Sequence, residues 1–158
     1  DTGRNAIRQF RPAVKVTIQP EPTNLLLTID GETKPGPQTY TWEGFSQHVL
    51  LAPSPQESDE GTRWIAPPAQ LIDLACAPTE QAVKVPFTKQ YKLTIETTEG
   101  GTVSRESDWF DSGDEVTLTA QPQDGFVFTG WQGACEGVGE CTVRVDSPQR
   151  VSAGFRRQ

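Results

Sequence analysis

Val14, Val16 and Ile18 alternate with Lys15, Thr17 and Gln19. A period of two puts one set of side chains on a buried face and the other in water, so this run predicts a strand, ended by Pro20 and Pro22. Residues 25–29 predict a second strand. Asp30-Gly31 predicts a tight hairpin into a third strand over residues 32–40. Residues 48–52 and 62–66 continue the series, separated by Pro, Gly, Ser and Asp. In residues 67–76, two prolines followed by Ala, Gln and Leu are compatible with a short helix, while the repeat described next favours an extended strand.

The pattern is then written a second time. Val14-Lys15-Val16-Thr17-Ile18 returns 77 residues later as Tyr91-Lys92-Leu93-Thr94-Ile95. His48-Val49-Leu50-Leu51-Ala52 aligns with Val116-Thr117-Leu118-Thr119-Ala120, and Val83-Lys84-Val85-Pro86-Phe87 with Val151-Ser152-Ala153-Gly154-Phe155, both at an offset of 68 residues. Internal repetition decides architecture before any site is considered. It predicts a mainly β chain with little helix, built as two tandem small modules over 12–87 and 91–155, after a tail at 1–11. Residues 88–90 read as a very short linker. In the second copy, Glu99-Gly100-Gly101 reads as the turn of a brief hairpin into residues 102–105.

The copies differ in one informative way. The second has Val116, Leu118 and Ala120 inward with Thr117 and Thr119 outward. In the first, the outward register holds Val49 and Leu51, and Leu25-Leu26-Leu27 is apolar on both faces. A strand apolar on both sides is usually covered on both. Cover from within this chain is the expectation, and Leu26, Val49 and Leu51 are candidate interaction residues if it fails.

A formal charge of −7 disfavours non-specific contact with nucleic acid or anionic membranes. Arg4, Arg8 and Arg11 read as a solvated basic tail. No apolar run approaches the roughly 20 residues that a helical span needs. Beginning at Asp1 without a leader-like segment, the sequence suits a piece of a larger exported chain. Cys135 and Cys141 are six apart, with Gly137 and Gly139 between them to permit a reversal, and no second Cys or His pair completes a metal site. A disulfide is expected, and with it an oxidising compartment. Cys76 is left over and reads as a small buried hydrophobe.

Gly100-Gly101-Thr102-Val103, residues 113–120, Gly125-Phe126-Val127-Phe128-Thr129-Gly130-Trp131, the Cys135–Cys141 segment and the closing residues 151–155 occur in order. Together with Tyr91-Lys92-Leu93-Thr94-Ile95 they resemble the divergent B-repeat of internalin-B type, a bacterial extracellular module often arrayed in tandem. The first copy resembles a variant through Thr39-Tyr40-Thr41-Trp42, residues 48–56 and Gly61-Thr62-Arg63-Trp64, but lacks the Trp-centred turn. The resemblance implies a small β-grasp- or sandwich-like fold serving as stalk, spacer or adhesion unit on a secreted or cell-surface protein. It carries no catalytic residues to transfer.

Chemistry finds little footing. His48, the sole histidine, aligns with inward-facing Val116 and has no Asp or Cys at a telling spacing, so it reads as packed or at an edge. Asp108, Asp111, Asp114 and Glu115 do not follow an EF-hand loop and read as solvated rather than as a calcium site. Trp42, Trp64, Trp109 and Trp131 read as core plugs, with Trp64 and Trp109 the expected exposed exceptions. The expectation is therefore a non-enzymatic spacer or adhesion segment with no cofactor or metal. Its interaction surface would draw on Leu26, Val49, Leu51, Trp64 and Trp109 toward a protein or glycan partner. The alternatives are a dedicated ligand-binding module or an accessory domain of a larger exported hydrolase.

Overall fold

The computed structural model describes residues 11–158, and no helix occurs among them. The strands, in chain order, begin with β1 (Ala13–Glu21), β2 (Leu26–Ile29), β3 (Glu32–Pro35), β4 (Gln38–Glu43) and β5 (Gln47–Leu51). Next come β6 (Gln56–Asp59), β7 (Thr62–Ile65), β8 (Gln70–Asp73), β9 (Glu80–Pro86) and β10 (Thr88–Thr97). The chain closes with β11 (Gly101–Val103), β12 (Asp108–Asp111), β13 (Glu115–Leu118), β14 (Ala120–Pro122), β15 (Phe126–Gly133), β16 (Cys141–Arg144) and β17 (Gln149–Arg157). They form two units. The first runs through Ser54 and resumes over Ala66–Phe87; the second takes Pro55–Ile65 and Thr88–Gln158.

In the first unit, β1 lies between antiparallel β4 and parallel β9. The alternation that predicted β1 is the alternation found: Val14, Val16 and Ile18 are 0–1% exposed. Each such burial is worth roughly 1.5–3 kcal/mol. A second sheet, in the order β3-β2-β5-β8, turns Leu27, Ile29, Leu50 and Ile72 to the core. The β2–β3 hairpin turns at Asp30 (φ 50°) and Gly31 (φ 87°), the paired left-handed conformations that a two-residue turn of this hand requires. The predicted third strand over 32–40 is in fact two, β3 and β4, parted around Gly36-Pro37, and they join different sheets. Residues 67–76 are extended, with β8 pairing β5.

The second unit repeats the frame. Its β10 pairs antiparallel with β12 and parallel with β17, as β1 does with β4 and β9. Leu93, Val116, Leu118, Trp131, Val143, Val151 and Phe155 share one buried cluster. Three expectations are corrected here. Thr88, Lys89 and Gln90 are not a linker but the start of β10, because their backbones pair with β7. Residues 102–103 do not fold back on β10; β11 pairs β14 instead, and Gly101 lies so close to the Phe155 ring that a Cβ there would collide with it. The β6–β7 hairpin, written in the first copy of the repeat, belongs to the second unit through that same pairing of β7 with β10.

Candidate functional site

Period two carries through the second sheet of the first unit. Thr28 pairs with Leu51, and Val49 with Leu71, so Leu26, Leu51, Val49 and Leu71 stand on one face while Leu27, Leu50 and Ile72 stand on the other. The inner set is buried. The outer set is not: Leu26 is 39% exposed, Leu51 41%, Val49 45% and Leu71 60%. Cover from within the chain, expected from the apolar register, is therefore not what is found among the described residues. Leu71 was missed because 67–76 gave no firm strand; once β8 is placed, inward Ile72 fixes Leu71 outward. Phe45, in the turn before β5, adds a further exposed ring at 61%.

The inward edge of the same sheet holds His48. Its ring stacks on Trp42 at 3.6 Å, and Trp42 on Tyr40 at 4.8 Å. Trp42 is thus half-buried in a strand-borne stack rather than a core plug. No acidic residue stands near His48 at a telling spacing, yet the β2–β3 turn brings one from 18 residues away: Asp30 Oδ2 lies 2.6 Å from His48 Nδ1. Ser46 Oγ lies 2.9 Å from Nε2. Bonds from His48 and from the Val49 amide hold the Asp30 carboxyl below its ordinary value.

Aspartate, histidine and serine in this order invite comparison with a nucleophilic triad, which geometry and not spacing identifies. The hydroxyl is turned the wrong way. Ser46 Oγ donates to the Glu43 carbonyl at 2.6 Å, which leaves it to accept from the imidazole, whereas a nucleophile must give its proton to the base. The neighbouring amides are also committed: Gly44 to Pro12, Phe45 to Leu74 and Ser46 to Glu43. None remains to stabilise an oxyanion. The trio ties a turn to a strand.

In the second unit, Trp64 and Trp109 fall on opposite faces of the β10 sheet. Trp64 sits across from Lys89, whose ammonium is 5.4 Å from its ring, while Trp109 sits across from Lys92 and stacks under Arg63 at 4.5 Å. Both are half-buried rather than exposed. Leu26, Val49 and Leu51 thus share a face, and the two tryptophans do not. Trp131 is the true plug, 3% exposed, and its N–H groups donate to Gly137 and Gly139 inside the loop closed by the Cys135–Cys141 disulfide. Cys76 is exposed, not buried, because β8 ends at Asp73 and Cys76 falls in the turn that follows, where the Ala77 amide donates to the Leu74 carbonyl. Arg11 reaches Glu43 at 3.9 Å, and Arg4 and Arg8 lie outside the described residues. The acidic turn spends its carboxylates locally: Asp108 accepts from the Trp109 amide, Asp111 from Gln90 and Asp114 from the Asp111 amide. No group of three metal-ligating side chains converges among the described residues.

The frame of β10, β12 and β17, the plug at Trp131 and the bridged loop all lie in one stretch of chain. Residues 91–158 match the divergent InlB B-repeat domain. The resemblance drawn from the spaced motifs of the second copy is thereby established for that stretch, and the B-repeat match begins at Tyr91. No curated protein matches the chain. No helix among the described residues is long and apolar enough to cross a membrane.

Proposed function

We propose that this chain is a non-catalytic interaction segment of a bacterial secreted or cell-surface protein, and that it grips a protein partner through the aliphatic strip of β2, β5 and β8. The B-repeat match and the disulfide support the setting. The strip carries the functional part: four aliphatic side chains, 39–60% exposed, on one face of one sheet. Contiguous exposed apolar surface marks contact sites. It suits a protein more than a glycan, since aliphatic branches pack against apolar side chains and offer neither an aromatic platform nor hydrogen bonds for hydroxyls. A spacer alone would have no use for it.

Two measurements test the reading. Immobilised wild-type protein and a Val49→Thr/Leu51→Thr/Leu71→Thr variant are compared for what they retain from a bacterial surface-protein fraction. A protein held by the first and released by the second is the expected result; no difference between them sinks the proposal. A fluorophosphonate probe is expected to leave Ser46 unlabelled, and stoichiometric labelling would restore the hydrolase alternative.

A further inference from the structure

The β6–β7 turn is drawn to β10 by the Lys92 amide, which donates to the Gly61 carbonyl at 2.9 Å. Gly61 lies against Pro148 at the entry to β17, near enough that a Cβ would approach the proline ring to 2.8 Å. Between that turn and the start of β17 runs an open groove of about 730 Å³, within the span of small-ligand sites. Lys92 and Thr94 form its floor, two apart on one strand and so on one face. Trp109 stands directly across the β10–β12 pair from Lys92. Glu57, Asp59 and Glu60 line one side, Gln149 and Arg150 the other.

The indole is held before anything binds. Arg63 covers one face of Trp109, its Nε donates to Gln90 Oε1 at 2.9 Å, and Gln90 Nε2 donates to Asp111 Oδ1 at 2.7 Å. A platform fixed in advance loses little entropy on binding. The carboxylates on the turn side and the Lys92 ammonium are unspent, whereas Gln149 already donates to the Arg144 carbonyl and to Asp146. Among the described residues no ion pair engages Glu57, Asp59, Glu60 or Lys92, while Arg150 meets Glu96 at 3.5 Å.

This combination selects a chemistry. Three carboxylates facing Lys92 and Arg150 give neither sign a clear excess, so a polyanion gains no net attraction. One aromatic ring is too little for an apolar peptide. A neutral sugar ring offers C–H bonds to stack on an indole, and vicinal hydroxyls that both donate to carboxylates and accept from ammonium or amide N–H groups. We propose that this groove binds a neutral glycan, with a pyranose ring on Trp109 and its hydroxyls on Asp59, Glu60 and Lys92. The site uses no residue of the first unit and does not depend on the aliphatic strip.

Native gels containing a β-glucan, an α-glucan, a mannan or a sulfated dextran test it. At least one of the neutral polysaccharides is expected to retard the protein. Trp109→Ala should weaken that retardation at least ten-fold, and Asp59→Asn with Glu60→Gln at least three-fold. Trp64→Ala, on the opposite face, should leave it unchanged. The carboxamide pair sits at an exposed turn and keeps the test valid if Trp109→Ala disturbs the fold. The proposal is overturned if no neutral polysaccharide retards the protein, if sulfated dextran alone does, or if the carboxamide variant binds like wild type.

Discussion

Val49 paired with Leu71 and Thr117 paired with Thr142 hold corresponding outward places on β5–β8 and β13–β16. Behind each pair the inward places are alike: Leu50 and Ile72 in one unit, Val116, Leu118 and Val143 in the other, all at most 5% exposed. The second unit shows that this strand pair needs no aliphatic outer face, since two threonines 3.4 Å apart between their hydroxyls serve there. The aliphatics of the first unit are therefore not required by the architecture, which is the argument for assigning them to a partner. A second contrast runs deeper. The second unit is locked by Trp131 and a bridged loop, the first by a half-buried stack of Tyr40, Trp42 and His48 with Asp30 behind it.

The largest effect expected from breaking that contrast is at Trp131. Truncating a buried tryptophan costs about 3–5 kcal/mol, and here it also removes the donor to Gly139. Amide exchange at Leu93 and Val151 should speed up by that free energy in Trp131→Ala, with Val16 and Leu50 unchanged. Trp42→Ala should act in the first unit and by less, since a stacked aromatic pair adds only about 0.5–1.5 kcal/mol beyond its buried area. Equal losses from the two would erase the distinction.

Much of this division was legible in the sequence. Alternation placed β1, β5 and β13 with their inward residues, because period-two burial is a local signal that needs no knowledge of neighbours. The disulfide was legible too, from two cysteines six apart around glycines. Pairing partners were not. Whether β7 returns to its own copy or joins β10, and whether β11 pairs β10 or β14, depends on contacts between distant segments that no local run encodes. Asp30 and His48 were hidden for the same reason, being separated by 18 residues and joined only by the β2–β5 register. The groove at Trp109 is the extreme case, since it exists only because the β6–β7 turn comes to lie beside Pro148.

The bridged loop gives the next effect. Closing a loop with a sequence separation of 6 is worth about 2 kcal/mol by chain entropy. Reduction should lower protection at Val143 and Trp131 by that amount and leave the first unit as it was. Cys76, exposed and unbridged, should take one maleimide in the native, unreduced protein. Two or more equivalents would mean that the loop is open.

A smaller effect separates the first unit from the second by pH. Because His48 and the Val49 amide lower the Asp30 carboxyl in the folded state, its contribution is present above the unfolded value near 3.8. It is lost as pH falls through the lower folded value. With the Asp30 side chain 47% exposed, solvent screening limits this to about 0.2–1 kcal/mol. Asp30→Asn should therefore speed exchange of the Val49 amide at pH 7 by no more than about five-fold, the gap closing below pH 3.8. A gap that persists in acid would show that the charge is not what matters.

The smallest expected change is the most telling. If the outer face of β5–β8 is free of structural duty, Val49→Thr, Leu51→Thr and Leu71→Thr should each shift stability by about 0.5 kcal/mol or less, as surface substitutions away from special features do. Threonine carries the β-branch that suits a strand, kept at position 49 and gained at 51 and 71, so lost propensity does not confound the result. The reciprocal Thr117→Val/Thr142→Val change should be equally quiet in the second unit, since it exchanges one hydroxyl pair for the aliphatic pair found at Val49 and Leu71. A near-zero result in both directions, together with loss of the retained partner only in the threonine variant, separates folding from function at those three positions. Losses of about 2 kcal/mol or more on the first unit alone would instead mean that these side chains support their own sheet, and the protein-binding assignment would fall with them.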